Sequence, residues 1–438
     1  MNATTPILNL EVLQSATATA AAFRCRRILQ PGGGEGDKVF PPTYAGGTYA
    51  VEKRRIPNHT EPVTCVLLDS VQSQANRMEL ALYENREELH LPIVEVDFDS
   101  AKDLKEPVGK ISTLQAPHRI ADAILRDSEL GGKAFRHSDI GREITTASPQ
   151  NATGLFKYCP TALIFGMWDS TGPKGGLGTK FERAIVSEVV GINAVFGIKT
   201  SSRIDPLIVH TKNIKVYKTS DGWTLEEKLA EKDAQGKAIL YGEKGKISET
   251  NLGNVTPSFS KYTQGAEGKN MLLNQDGINQ DARQGEIAPG GATISQAEQS
   301  TTLSLICLRR LRFPVSTKSP TPAPASDRAA QTVLAALGLC AATLAFENGM
   351  GLRSRCLLWP DETMQWELLS KPGEAPKSYS LTSQDAKILL AEALAAAKDV
   401  GLSWPDEPVT LLPSQKLIAV VRASQEQAIE KGADIVER

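Results

Sequence analysis

The chain has 438 residues, enough for two to three ordinary domains or one core with large insertions. Its apolar fraction of 41% and charged fraction of 23% are those of a soluble globular protein. A formal net charge of −2 argues against a uniformly basic nucleic-acid-binding domain but leaves room for a local basic stripe. The six cysteines, at positions 25, 65, 159, 307, 340 and 356, include no C-x-x-C pair, which fits free thiols in a reducing cytoplasm better than a disulfide framework or zinc ribbon. The N-terminal "MNATTPILNLEVLQ" has no basic region and meets Glu11 early, so it reads poorly as a signal peptide.

In chain order, "AAFRCRRIL" reads as a strand, and "QPGGGEGDK" and "FPPTYAGG" as turns or loops. Residues 63–68 read as a strand running into a helix from about 70 to 88. "HLPIVEVDF" (90–98) alternates like a strand, with Val94, Val96 and Phe98 on one face and Glu95, Asp97 and Asp99 on the other. "HRIADAILRDSEL" (118–130) reads as helix, and "TALIFGMW" (161–168) as a strand before a glycine-rich loop. From about 209 to 300 the chain turns polar, too poor in apolar groups to form its own core. "TTLSLICLRRLRF" (301–313) returns to strand character. A proline-rich stretch follows, then a helix at about 327–347, the strand "RSRCLLW", and helices at about 383–399 and 415–435. The uncharged "AAQTVLAALGLCAATLAF" (329–346) barely reaches spanning length, and its flanking charges mark it as a buried core helix.

The helix start at 70 is dense in hydrogen-bonding groups. Asp69 as N-cap with Gln72 forms a capping-box arrangement, and Val71, Ala75, Met78 and Leu82 make a buried stripe. Ser70, Ser73, Gln74 and Arg77 then share the opposing face, where short hydroxyls, an amide and an arginine suit anion or backbone contacts. The loop 169–180 carries Lys174 and Lys180 but fails as a P-loop, because Gly178-Thr179-Lys180 has the wrong order. In "LRRLRF", a strand reading puts Arg310 and Arg312 on one face, a plausible phosphate track, and Arg309 on the other. Arg119, Asp122 and Arg126 fall on one face of a continuous helix. Glu95, Asp97 and Asp99 read as a wet strand face rather than a metal site. "SFSK" (258–261) is too short a match to S-x-x-K to carry weight, and no coherent catalytic constellation emerges.

Eight ordered blocks carry a resemblance: "LLDSVQSQANRME" (67–79), "HRIADAILRDS" (118–128), "FRHSDIG" (135–141), "ALIFGMWDSTG" (162–172), "FERAIVSEVVGI" (181–192), "SSRIDP" (201–206), "LSLICLRRLRF" (303–313) and "LRSRCLLWP" (352–360). Together they resemble the backbone subunit of type I-G (formerly I-U) CRISPR Cascade, of the RAMP superfamily. The resemblance implies an α+β fold, with an RRM-like, ferredoxin-like palm bearing long insertions as thumb and fingers. Residues 1–208 are then the N-terminal part of the palm with its finger insertions, and 209–300 a thumb or finger. Residues 301–438 form the rest of the palm, including the proline-rich loop 314–326. It further implies copies stacked head to tail along a CRISPR RNA, pairing of the guide with target DNA, and contacts with other Cascade subunits. The expected setting is cytoplasmic, without membrane, cofactor or catalytic role.

The RNA-binding residues expected on chemical grounds are Ser73, Gln74, Asn76, Arg77, Arg119, Arg126, Lys174, Lys180, Arg183, Arg203, Arg309, Arg310 and Arg312. The alternative is a metal-dependent endoribonuclease like the type III backbone subunits, with Asp276, Asp281 or the 95–99 carboxylates as candidates.

Overall fold

The computed structural model describes residues 5–57, 59–172, 179–209, 214–259, 271–273, 279–281, 289–315 and 324–430. A short helix, α1 (Leu10–Thr19), precedes β1 (Ala22–Pro31), β2 (Val51–Arg54) and β3 (Val63–Asp69), which leads into α2 (Val71–Glu84). A small hairpin of β4 (Met167–Asp169) and β5 (Thr179–Phe181) follows, then β6 (Ile185–Ile192) and β7 (Gln296–Ser304). The C-terminal part comprises α3 (Pro324–Phe346), β8 (Met350–Arg353), β9 (Cys356–Pro360), β10 (Gln365–Leu369), β11 (Lys377–Ser380), α4 (Ser383–Asp399) and α5 (Gln415–Glu430).

Mixed helix and sheet make this an α+β fold. Among the described residues, nine antiparallel strands form the main sheet in the order β2-β3-β6-β7-β1-β9-β8, with β10 also pairing β1 and β11 pairing β10. Counting β1, β6, β7 and the β9/β10 pair as first to fourth in the chain, they lie fourth–first–third–second. α2 falls between the first and second of these, and α3 between the third and fourth. Because β7 begins at Gln296, the main sheet resumes before residue 301.

α3 is the core helix. It is long and apolar enough to cross a membrane, yet 83% of its most apolar window is buried inside the protein. Gly338 lets it approach the sheet: a Cβ there would sit 3.2 Å from the Leu303 side chain of β7. A second sheet joins 94–97, 110–112, 128–130 and 133–134 to 409–413, with Val94, Val96 and Phe98 turned inward as the alternation predicts.

Three local readings are corrected. Residues 161–168 are not one strand: Thr161–Ile164 form a helical turn after Pro160, Gly166 turns with φ +83°, and only then does β4 begin. Residues 118–130 are not one helix. Arg119–Ala121 and Ala123–Arg126 are separate turns, broken where Asp122 adopts an extended backbone (ψ 148°) and caps the Ile124 amide at 2.9 Å. The strand through 301–313 stops at Ser304, whose hydroxyl accepts from the Cys307 amide at 3.2 Å and starts the short helix Leu305–Leu308. Arg309, Arg310 and Arg312 therefore do not alternate across a strand.

The polar start of α2 is also organised differently from the sequence reading. Ser70, not Asp69, is the N-cap, accepting from the Ser73 amide at 3.2 Å. Asp69 is left free to serve as the hub of a buried network. Its carboxylate accepts from Ser73 Oγ at 2.8 Å, Gln74 Nε2 at 2.6 Å and Arg77 Nε at 2.9 Å. Arg353 Nη2 approaches it at 3.3 Å, and Arg77 reaches on to the Leu352 carbonyl at 2.7 Å. Gln74, fully buried, accepts through Oε1 from Ser187 Oγ at 2.8 Å and Gln299 Nε2 at 3.2 Å, which ties α2 to β6 and β7.

A buried carboxylate is tolerated only when its lone pairs are occupied, and removing it strands the donors that surround it. Asp69→Ala is expected to cost about 3 kcal/mol of stability, whereas Ser73→Ala costs about 1 kcal/mol. Urea unfolding of the two variants, read as midpoint shifts, checks the ranking.

Candidate nucleic-acid interface

On the solvent side of α2, two depressions of about 600 and 430 Å³ share Gln72, Pro117, Arg119 and Arg183 in their walls and so form one groove. α2 contributes Gln72 and Asn76, both exposed, from the flank beside its Asp69 contacts. The 117–126 segment contributes His118, Arg119 and Arg126; the β4–β5 hairpin and the residues around it contribute Trp168, Lys180 and Arg183.

The floor is an ion pair. Arg119 donates to both oxygens of Glu79, at 2.6 and 2.9 Å, and to the Gly166 carbonyl at 3.0 Å, while its guanidinium lies 5.4 Å from the centre of the Phe165 ring. Glu79 is nearly inaccessible, and burial outweighs the Arg119 charge to push its carboxyl up to about 7. Arg119 adopts a left-handed backbone (φ 54°), an unfavourable conformation for a non-glycine residue that its three side-chain contacts help hold. At Gly166 a Cβ would meet Arg183 Cγ at 2.9 Å, so glycine permits the close passage of the Arg183 chain into the groove.

The hairpin is braced from below. Arg136 Nη2 donates to both Asp169 oxygens at 2.7 and 2.8 Å, and Nη1 to the Thr171 carbonyl at 2.7 Å, joining the "FRHSDIG" and "WDSTG" blocks. Arg126 is paired with Asp127 at 2.7 Å, and Arg126 with Lys416 holds that carboxyl down at about 2. Glu182 is paired with Arg310 at 3.1 Å. Once these pairs are formed, Lys180 and Arg183 are exposed groove cations with no hydrogen-bond or ion-pair partner among the described residues.

The thirteen residues expected from sequence thus divide. Asn76, Arg119, Arg126, Lys180 and Arg183 come together in the groove. Ser73, Gln74 and Arg77 turn inward to Asp69. Arg203 donates to the Leu252 and Gly253 carbonyls at 2.7 and 2.9 Å, bracing the insertion. Arg309 donates to the Thr17 and Ala20 carbonyls at 3.0 and 2.6 Å at the C-terminal end of α1. Arg310 pairs with Glu182, and Arg312 lies 3.5 Å from Asp327. Lys174, and Asp276 of the nuclease alternative, lie outside the described residues. Of the other proposed carboxylates, Glu95 pairs with Lys110 at 2.7 Å, and Asp97 caps the Asp99 amide at 2.9 Å.

Gln72, His118 and Trp168 were missed as groove residues. Trp168 carried the one usable signal, a tryptophan between Met167 and Asp169 immediately before a glycine-rich loop.

Residues 23–195, less than half of the chain, match the model of the family described as CRISPR-associated protein GSU0053, which links the chain to the CRISPR-associated proteins. The matched span contains the whole groove. No curated protein matches the chain.

The raised Glu79 carboxyl has a signed consequence. A group whose folded pKa lies above its unfolded value of 4.5 gives stability that is fully present below about 4.5 and lost as pH rises through about 7. The stability difference between pH 4.5 and pH 8 should therefore be smaller in Glu79→Gln than in the unaltered protein, measured by urea unfolding at both pH values.

Proposed function

We propose that the protein is a guide-RNA-binding backbone subunit of a type I CRISPR surveillance complex, binding RNA through the groove beside α2 and cutting nothing. The observation that carries this reading is the pair of cations, Lys180 and Arg183, that have no partner among the described residues and sit in an open groove. Its other charged groups, Glu79, Arg119, Arg126, Asp169 and Glu182, are ion-paired, and its remaining lining is apolar, aromatic and neutral polar. Phosphate neutralisation needs cations that are not already committed, and counterion release makes each one count. The CRISPR-associated match over residues 23–195 supports the setting, and the fourth–first–third–second strand order supports an RRM-like, ferredoxin-type palm. On this reading the insertion between β6 and β7 is a thumb or finger, and copies stack head to tail on one CRISPR RNA that pairs with target DNA. Other Cascade subunits complete the assembly in the cytoplasm.

A guide of variable sequence demands contacts that ignore base identity, which side chains aimed at phosphates and 2′-hydroxyls supply. Gln72 and Asn76 fit the 2′-hydroxyl role, since amides both donate and accept. The closed pairs in the walls have a second consequence. Arg119 is fixed by Glu79 and Arg126 by Asp127, so both shape the groove more than they add charge to it.

Affinity for a single-stranded oligoribonucleotide should fall with salt, and the double variant Lys180→Ala/Arg183→Ala should lower that logarithmic slope by about 1.4, near 0.7 for each phosphate no longer neutralised. Arg309→Ala should instead lower stability by about 1 kcal/mol with RNA affinity unchanged, because that side chain caps α1. Fluorescence anisotropy across a salt series, with thermal melts of each variant, checks both. A nuclease would instead degrade complementary RNA in the assembled complex with Mg²⁺.

A further inference from the structure

We infer that Trp168 is a stacking platform for a base of single-stranded RNA, set beside the phosphate-binding Lys180 on one face of the β4–β5 hairpin. This inference rests on the RNA reading of the groove and adds to it a residue that the arginine-and-lysine pattern does not contain.

Trp168 is 61% exposed, while its strand neighbours Met167 and Asp169 are each 8% exposed. Strand alternation therefore turns the indole away from the core and into the groove, whose wall it lines. Its partner in register across the hairpin is Lys180, and directly opposed residues present their side chains on the same face. A π-face and an uncommitted ammonium are thus placed side by side, the pairing of groups that sequence-tolerant single-strand binding uses: one for the base, one for the backbone. The hairpin is also held in place before any ligand arrives, because Arg136 clamps Asp169, the residue after the tryptophan, through both carboxylate oxygens. A strand held in this way presents the indole without first having to be ordered by the ligand.

The chain supplies its own comparison. Trp359 on β9 is also 61% exposed, but its partner in register is Gln30 of β1 and the groove lies elsewhere. If exposure alone made a nucleic-acid contact, the two tryptophans would behave alike. Stacking also selects the form of the ligand, since the bases of a duplex are already stacked on one another and offer no free face.

The test measures binding of the full chain to a single-stranded oligoribonucleotide, to the same length of abasic ribose-phosphate chain and to duplex RNA. Trp168→Ala should weaken single-strand binding about tenfold, leave the abasic chain unaffected and leave the salt slope unchanged. Trp168→Phe should restore affinity to within about threefold, and Trp359→Ala should bind like the unaltered protein. Unchanged melting curves for these variants show that folding is intact. The inference is overturned if Trp168→Ala binds single strands as tightly as the unaltered protein while Lys180→Ala/Arg183→Ala binds weakly. If neither alteration changes binding, the RNA reading of the groove is what fails, and the stacking role goes with it.

Discussion

The Asp69 carboxylate is 1% exposed and sits where β3 hands the chain to α2. Left alone there it would be severely destabilising, so its surroundings are arranged to answer it: Ser73, Gln74 and Arg77 come from the next two turns, and Arg353 from β8. Gln74 passes the constraint on to Ser187 and Gln299, the inward side chains at the centre of the sheet. One charge thereby fixes the rotation of α2 about its axis against β6, β7 and β8. A helix held only by its apolar stripe of Ala75, Met78 and Leu82 could slide or roll with modest loss; a helix hydrogen-bonded to a buried carboxylate cannot.

That rotation decides what solvent meets. With Ser73, Gln74 and Arg77 turned inward, Gln72 and Asn76 face out and become one wall of the groove. The opposite wall is set by other closed contacts, Arg136 on Asp169 and Arg119 on Glu79 and Gly166. Within this frame almost every charge is satisfied by a neighbour, which is why a chain with net charge −2 can still present a focused positive site. What recommends the groove as an interface is the contrast between its committed frame and its uncommitted lysine, arginine and indole.

Much of the fold was legible because it is local. α4 was read at its observed bounds, α3 as a buried core helix from its lack of charge, the 94–98 strand from period-two alternation, and β1 and β3 as strands, β3 from a short apolar run. The errors arose where a short-range device overrode the pattern. Ser304 ends a strand by capping a helical turn, and the Asp122 cap splits an apparent helix in two. The candidate site was legible in part. Lys180 and Arg183 could be named from residue type, but that they have no partner among the described residues could not, because freedom depends on where every carboxylate goes. Ser73, Gln74 and Arg77 were misread because Asp69, which accepts from all three, was taken as the helix cap, and because Ser187, Gln299 and Leu352, which hold Gln74 and Arg77 from the other side, lie more than a hundred residues along the chain. An arginine that caps a helix and one that awaits a phosphate look the same in one dimension.

The most direct test of this account is photochemical crosslinking of the full chain to a uniformly labelled single-stranded RNA, with the crosslinked peptides identified by mass spectrometry. The account predicts crosslinks concentrated in peptides covering 72–83, 115–126, 165–171 and 180–183, the walls of the groove. Crosslinks confined to the open face of the main sheet, around Arg26 and Trp359, with the groove peptides unmodified, would contradict it.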